Sequence, residues 1–227
     1  MITTPADADA FILANTVIAT PPLVPELRLR LASAVVPIWQ ATERALEQIG
    51  VEPPYWAFCW PGSQALARLL LDEPERARGR RVLDFACGGG IAAIAAARAG
   101  AQVIANDIDA LALRAVAINA RLNGATVAVQ AGDLLAASPA AGSIPSSPGA
   151  GRIVLAGDVC YQQTMAERCL GWLRAEAAAG NEVLLADPGR AYLPAHGLEP
   201  VARYDVPTSR DLEDADSRAC TIWRVLP

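Results

Sequence analysis

Through residues 63–187, short runs of hydrophobic residues alternate with longer segments in which hydrophobic residues recur at helical spacing. Five of the runs predict buried strands, and the longer segments predict helices. The predicted strands cover residues 82–84, 103–105, 127–130, 153–156 and 182–186, and the predicted helices cover residues 63–71, 91–99, 110–122 and 163–179. This alternation predicts a three-layer α/β fold of the Rossmann-like kind with a mostly parallel sheet.

The first 52 residues lack this alternation. Residues 1–21 look irregular, and residues 26–48 predict a helix that Pro37 should kink. We therefore expect residues 1–52 to form an N-terminal helical extension and residues 53–227 to form the α/β domain.

Two further segments complete the predicted domain. Residues 198–206 and 219–226 predict an antiparallel hairpin at the edge of the sheet. Residues 136–151 are rich in alanine, serine, proline and glycine, which predicts an exposed loop.

The composition bounds the compartment and the kind of partner. The chain has 227 residues and a formal net charge of -5, and no tract of basic residues is visible, so we expect no nucleic-acid partner. No apolar run approaches the length of a membrane span. The five cysteines form no C-x-x-C pair, which predicts reduced thiols in the cytoplasm and no metal site. We expect a monomer, and we expect the single histidine, His196, to be a surface residue.

A glycine cluster, Gly88-Gly89-Gly90, lies between the first predicted strand and the helix that follows it. Glycine lets a ligand approach the backbone closely, and the unpaired N–H groups of a helix N-terminus attract a carboxylate or a phosphate. The next strand ends near Asp107, where a carboxylate can accept hydrogen bonds from both hydroxyls of a ribose. The pattern therefore favours a nucleoside that carries an anionic group.

Two classes of cofactor fit such a site. A dinucleotide normally requires G-x-G-x-x-G, and this segment does not match that pattern. The alternative is S-adenosylmethionine, for which D-x-G-x-G-x-G is typical, and the chain follows this pattern at Asp84, Ala86, Gly88 and Gly90, with one glycine replaced by alanine. With Asp107 after the cluster, the sequence predicts S-adenosylmethionine as the cofactor, and a tight turn in an unrelated α/β protein is the alternative interpretation.

Three further positions are candidates for the site. Trp60 belongs to an aromatic segment that is either packed in the core or forms a wall over the cofactor, because aromatic faces bind adenine or a sulfonium cation. Asp133 follows the third strand and either reaches the adenine amine or is a turn residue. Asp158 follows the fourth strand, three residues before Tyr161, at the sheet edge where α/β proteins bind ligands. The alternative role for Asp158 is a cap on the following helix.

Several sequence blocks occur in one combination. They are P-Y-W-A-F-C-W-P-G-S-Q-A-L (54–66), V-L-D-F-A-C-G-G-G (82–90), A-N-D-I-D (105–109), G-D-V-C-Y (157–161), A-D-P-G-R (186–190) and T-I-W (221–223). Together they resemble the class I, seven-β-strand protein lysine methyltransferases, and more closely those that modify the β subunit of electron transfer flavoprotein. The resemblance runs from about residue 53 to the end of the chain.

The resemblance implies a seven-stranded, mostly parallel sheet in the order 3-2-1-4-5-7-6, with strand 7 antiparallel. At Ala86 the chain departs from the glycine that is usual in the family, which concerns cofactor affinity and not the fold. The implied roles are that Gly88 and Gly90 line the methionine part of the cofactor, Asp107 holds the ribose, Asp133 the adenine, Trp60 lies against the cofactor, and Asp158 and Tyr161 form the D-x-x-Y signature of the active site.

We therefore expect an S-adenosylmethionine-dependent protein lysine N-methyltransferase that acts on the electron transfer flavoprotein β subunit. A lysine ammonium, with a pKa of about 10.4, must lose a proton before its nitrogen can attack a methyl group. Asp158 would attract and orient this group, and Tyr161 would form one wall of the lysine channel. A methyltransferase for a small molecule or another protein, and a catalytically silent cofactor-binding module, are the alternatives.

Overall fold

The structure of the protein is a computed structural model that describes residues 4–32, 54–136 and 151–227. The helices are α1 (Pro5–Asn15), α2 (Pro61–Asp72), α3 (Ile91–Arg98), α4 (Ala110–Leu122), α5 (Gln163–Ala178) and α6 (Arg210–Glu213). The strands are β1 (Val17–Ala19), β2 (Leu29–Leu31), β3 (Arg81–Phe85), β4 (Gln102–Asp107), β5 (Ala128–Ala131), β6 (Ile153–Gly157), β7 (Glu182–Asp187), β8 (Leu198–Pro207) and β9 (Ser217–Val225). Short 3₁₀ helices cover Tyr55–Ala57 and Pro74–Arg76.

Seven of these strands form one sheet in the order β5-β4-β3-β6-β7-β9-β8. Strands β3 to β7 are parallel, whereas β9 is antiparallel to both of its neighbours, β7 and β8. With β3 counted as the first strand, this is the predicted order 3-2-1-4-5-7-6, and the predicted edge hairpin is β8–β9. Because the strand order reverses between β3 and β6, a crevice opens at the carboxyl ends of these two strands.

The sheet lies between two layers, as the alternation of residues along its strands requires. On one face, Val82 and Leu155 belong to a buried cluster with residues of α2 and α3. On the other face, Leu83 and Val154 pack into a second cluster with α5. Side chains of neighbouring strand positions point to opposite faces, so these buried strands carry hydrophobic residues at nearly every position. The predicted three-layer α/β fold is confirmed.

In the N-terminal segment, two local secondary-structure predictions are wrong where the structure describes the residues. Residues 5–15 form a helix rather than an irregular segment, and Thr4 and Asp7 cap it reciprocally in a capping box, a sequence signal that was overlooked. Residues 29–31, predicted as helix, form a strand that pairs antiparallel with β1. The rest of the predicted helix, with its kink at Pro37, lies outside the described residues, as do residues 137–150 of the predicted loop.

Tertiary contacts explain why β2 is extended. The side chains of Asn119 on α4 and of Asn123, the C-cap of that helix, accept hydrogen bonds from the backbone amides of Arg30 and Arg28, at 2.8 and 3.0 Å. The buried side chain of Leu29 joins the main hydrophobic cluster of the domain. These contacts attach the N-terminal segment to the α/β domain, and they outweigh the local helical pattern of residues 26–32. Within the ranges that the structure describes, every helix is too short or too polar to cross a membrane.

Candidate active site

A cavity of about 410 Å³ lies at the carboxyl edge of the sheet, within the size range of small-molecule sites. Its walls come from the segments that follow β3, β4, β5 and β6, together with β2 and the aromatic segment before α2. The structure brings most of the predicted site residues together here: Trp60, Ala86, Gly88, Asp107, Asp133, Asp158 and Tyr161 all line the cavity. Asp84 and Gly90 are not part of its lining.

The glycine cluster combines an open turn with close packing. Gly88 lines the cavity at a φ of +51°, and its amide donates to Asp107 Oδ2 at 2.9 Å. A Cβ at Gly89 would lie 2.7 Å from the carbonyl oxygen of Trp56, so only glycine fits there. Gly90, at a φ of +79°, is the N-cap of α3, and a Cβ there would meet Val116 at 2.8 Å. Gly90 therefore serves the packing of α3 against α4.

Asp84 has a similar supporting position beneath the cavity. Its side chain is buried, and Oδ2 accepts a hydrogen bond from the amide of Ala93 at 2.9 Å, in the first turn of α3. Burial raises the pKa of Asp84 to about 8, and the nearby carboxylate of Asp107 adds to the rise. Asp84 thus fixes the start of α3 from below the glycine turn.

Asp107 is held in place by the backbone around it. Its Oδ2 accepts from Gly88 N at 2.9 Å and its Oδ1 accepts from Asp109 N at 3.0 Å. Burial raises the pKa of Asp107, and these backbone amides act against the rise. A carboxylate has about four acceptor positions, and the backbone amides of Gly88, Asp109 and Ile108 act on this one, so acceptor capacity remains for a ligand.

Ala86 adopts the left-handed conformation, with a φ of +51°, and it lines the cavity. This conformation costs a residue with a Cβ roughly 1–2 kcal/mol and costs glycine almost nothing. The glycine that is usual at this position in the resembling family therefore has a backbone reason, independent of any contact with a cofactor.

Replacing Ala86 by glycine should raise the free energy of unfolding by about 0.5–1 kcal/mol, because relief of the strained φ exceeds the added entropy of the unfolded chain. Urea unfolding at equilibrium measures the change. The matched control is Ala117→Gly in the middle of α4, which should instead destabilise by about 1 kcal/mol. Equal destabilisation by both variants would contradict the strain at Ala86.

Asp133 is both a turn residue and a residue of the cavity wall. Its Oδ1 accepts from Leu135 N at 2.8 Å, which is a turn contact, while its Oδ2 pairs with Arg168 Nη2 at 3.0 Å. The side chain remains 39% exposed. The guanidinium of Arg168 and the turn amides hold the pKa of Asp133 below its usual value, against the effect of burial. It therefore offers an ionised acceptor at this wall.

Asp158 lies at a strained and crowded position at the end of β6. Its φ is +56°, uncommon for a residue other than glycine, and such strain clusters at functional sites. Oδ2 accepts from the amide of Gly62, and Oδ1 accepts from Nε and Nη2 of Arg190 at 3.2 and 2.8 Å. Burial raises the pKa of Asp158 to about 6, and Arg190 and the Gly62 amide limit the rise. The carboxylate is thus ionised at neutral pH.

The contact with Gly62 corrects the predicted start of α2. The helix begins at Pro61 rather than at Ser63, its N-cap is Trp60, and no side chain of the cap residue closes it. A remote carboxylate, Asp158, accepts the free amide of the first turn instead. A Cβ at Gly62 would lie 2.6 Å from Asp158 Oδ2, so this approach requires glycine.

The aromatic segment divides between the two predicted roles. Trp56 is buried in a cluster with α1 and α4, as expected for a core residue. Trp60 lines the cavity, its indole N–H donates to Tyr55 O at 2.9 Å, and its ring lies 5.9 Å from that of Tyr55. Tyr55 in turn lies 5.8 Å from Tyr161, so three aromatic rings form one side of the cavity.

Two parts of the cavity wall were missed in the sequence. Leu29 and Leu31 line it from β2, and no signal could have found them once a helix was predicted there. Arg190 lines it beside Asp158, with its guanidinium carbon 5.9 Å from the centre of the Trp60 ring. The D-P-G-R block contains this arginine, but the block alone does not indicate that its side chain reaches Asp158.

Comparisons with known proteins agree on one class of enzyme. The family model described as "Ribosomal protein L11 methyltransferase (PrmA)" matches residues 62–142. The electron transfer flavoprotein beta subunit lysine methyltransferase of Xenopus laevis is 38% identical over 96% of this chain and 87% of its own length. The proteins of the same name from Danio rerio and Homo sapiens are 37% and 33% identical, again over 96% of this chain, and over 83% and 82% of their own lengths.

These relatives span nearly the whole chain, and so they bear on the complete fold and site rather than on the glycine turn alone. The predicted enzyme class, a methyltransferase that uses S-adenosylmethionine, is confirmed. The chain belongs to the family of electron transfer flavoprotein β subunit lysine methyltransferases.

Proposed function

We propose that this methyltransferase modifies lysine side chains of the electron transfer flavoprotein β subunit. The observation that carries the proposal is one cavity with two kinds of acid: Asp107, with free acceptor positions beside the glycine turn, and Asp158, beside Tyr161 after the neighbouring strand β6. The first fits the nucleoside of the cofactor, and the second fits a cationic substrate group. The name that the relatives carry supplies the protein substrate.

The residues of the cavity fit S-adenosylmethionine. Gly88 has no Cβ that would fill the space beside the turn, and the nearest atom to such a Cβ is Trp56 Cα at 3.7 Å. We propose that Asp107 accepts the ribose hydroxyls, Asp133 accepts the adenine amine, and Trp60 with Ala86 and Gly88 forms the wall around the methionine part. When bound, S-adenosylmethionine supplies an electrophilic methyl group on its sulfonium.

The protein then has to orient a lysine and allow it to lose a proton. Asp158 retains acceptor capacity beside its bonds to Gly62 and Arg190, because a carboxylate offers about four lone-pair sites and three N–H groups occupy it here. Its charge attracts the ammonium and orients the nitrogen, and the proton leaves to Asp158 or to water. The rings of Tyr55, Trp60 and Tyr161 exclude water from one side, so alignment and desolvation contribute most of the rate.

The β subunit of electron transfer flavoprotein, incubated with the enzyme and labelled S-adenosylmethionine, should gain methyl groups on lysine. Tandem mass spectrometry of the subunit locates them, and incubation with S-adenosylhomocysteine is the control without a methyl donor. The enzyme itself contains no lysine, so it cannot add a background of its own lysine methylation.

The same labelled cofactor added to a cell lysate separates the alternatives. A different labelled protein band, with no label on the β subunit, would replace the proposed substrate. Label in a soluble product alone would favour a small-molecule methyltransferase, and no label in either fraction would favour a silent cofactor-binding module.

We also propose that the enzyme works in the cytoplasm as a monomer without a nucleic-acid partner. All five cysteines are unpaired, which suits a reducing compartment. Light scattering on the purified protein tests the oligomeric state, and a mass of two chains would reject the monomer.

A further inference from the structure

Arg190 connects Asp158, the proposed lysine-binding acid, to a buried glutamate, Glu213, in the segment between β8 and β9. Its Nε and Nη2 donate to Asp158, and its Nη1 and Nη2 donate to Glu213 in α6. The side chain of Glu213 is only 1% exposed, and Arg218 on β9 approaches it at 3.3 Å. A guanidinium that bridges two carboxylates in this way has a fixed position.

We propose that Arg190 is a positioning residue for methyl transfer, which acts by holding the carboxylate of Asp158 ionised and aimed at the substrate lysine. The inference rests on the proposed role of Asp158, but not on the identity of the protein substrate. Glu213 is the anchor that fixes the guanidinium, so the connection between β8 and β9 supports the active site although it does not line the cavity.

Two contacts fix the direction in which the side chain of Asp158 points. The residue has a strained φ of +56°, and its two oxygens are held from opposite partners, Oδ2 by Gly62 N and Oδ1 by Arg190. Without Arg190, Oδ1 loses both of its donors, and a carboxylate that is 8% exposed keeps a single backbone partner. The side chain is then free to turn, and burial opposes its charge without a compensating cation.

In the part of the chain that the structure describes, Arg190 is the cation that forms an ion pair with Asp158 and lowers its pKa. Two charged groups act on Asp158 directly: Asp187 at the end of β7, and Arg190 in the loop that follows it. Glu213 in α6 acts through Arg190, and the thiols of Cys160 beside Asp158 and Cys220 on β9 also interact with it. Asp187 raises the pKa of Asp158, and both cysteines are neutral because burial raises the pKa of their thiols. Loss of the guanidinium should therefore raise the pKa of Asp158 further.

The test compares Arg190→Gln, Arg190→Lys and Glu213→Gln in the full-length enzyme. Methyl transfer to the β subunit of electron transfer flavoprotein is followed from pH 5.5 to 9. Calorimetry gives the dissociation constant of S-adenosylhomocysteine. Arg190→Gln should lower kcat by about 10- to 100-fold at pH 7 and shift the acid limb upward by about one pH unit or more. Part of the lost rate should return at pH 9, and S-adenosylhomocysteine affinity should stay within about twofold.

Arg190→Lys keeps the charge but loses the bidentate contact, so its acid limb should stay near that of wild type at an intermediate kcat. Glu213→Gln keeps one acceptor oxygen for the guanidinium, which therefore stays beside Asp158, and it removes a negative charge. The acid limb of this variant should therefore not move upward. The acid limbs of these two variants test the inference even if Arg190→Gln does not fold. An upward shift in Glu213→Gln would overturn it.

Carboxyl ¹³C NMR of Asp158 gives the same comparison without any substrate. If Arg190 has a purely structural role, Arg190→Gln should lower the melting temperature and kcat. The acid limb of its pH profile and the titration of Asp158 should then not change, and this result would reject the inference. Failure of the wild-type enzyme to methylate lysine at all would instead reject the proposed function, while the NMR titration would still decide the role of Arg190.

Discussion

Replacing Asp158 by asparagine should lower the methyl-transfer rate by about 100-fold or more, on the order of 3 kcal/mol of transition-state stabilisation. Asparagine nearly keeps the shape but removes the charge that attracts the lysine ammonium. It also has only one acceptor oxygen, so its amide group must face either the N–H of Gly62 or the guanidinium of Arg190. Both orientations set donor against donor, and the side chain loses its fixed direction.

Single-turnover rates and melting temperatures of the same variant separate the chemical role from a structural one. Asp158 accepts from the first turn of α2, so its replacement should also cost at least about 1 kcal/mol of stability. The suggested alternative, a cap on the following helix, is wrong, because the N-cap of α5 is Gln162. A normal rate with a lowered melting temperature would assign Asp158 to structure alone.

The matched control is Asp9→Asn. Asp9 also accepts from Nε and Nη2 of one arginine, Arg114, although through both of its oxygens, whereas Arg190 donates twice to Oδ1 of Asp158. Asp9 lies on α1 and does not line the cavity. Its replacement should leave the rate unchanged.

The wild-type rate should also fall as the pH drops through about 6, because burial raises the pKa of Asp158 to about 6 and the carboxylate there takes up a proton.

The fold between Ser63 and Asp187 could be predicted because its information is local. Each buried strand has hydrophobic residues on both faces, and each helix carries its own spacing and stop signal, so length and composition separate them. The N-terminal segment could not be predicted in this way. Its strand β2 is held by side chains of α4 that lie about ninety residues away in the sequence, and no local pattern reports such contacts.

The candidate site, too, could be predicted only in part. Asp107, Asp133 and Asp158 follow strands whose ends meet at one edge of the sheet, so their approach to one another follows from the topology. The pattern could not distinguish the part played by Gly90, which packs against Val116, from that of Gly88, which lines the cavity. Nor could it find the bond from Arg190 to Asp158, because that contact depends on how two loops fold back.

Replacing Asp107 by alanine should weaken S-adenosylmethionine binding by about 1.5–3 kcal/mol, as for a lost charged acceptor. This is a roughly 10- to 150-fold rise in the dissociation constant, measured by calorimetry on folded protein. S-adenosylhomocysteine should lose affinity by the same factor, because it has the same ribose. A larger loss for the cationic cofactor alone would instead indicate a long-range charge effect. Unchanged affinity for both would remove Asp107 from the site.

A 2′-deoxy analogue of S-adenosylhomocysteine tests the contact itself. Wild-type enzyme should bind the analogue less tightly than the parent compound, whereas Asp107→Ala should bind the two almost equally, since the partner of the hydroxyl is gone. Asp107→Ala also frees the amide of Gly88, which can loosen the turn, but a loosened turn weakens both ligands alike. The control variant, Asp133→Asn, should still distinguish the two ligands, because Asp133 is proposed to contact the adenine. Equal discrimination by wild type and Asp107→Ala would therefore show that the ribose is held elsewhere.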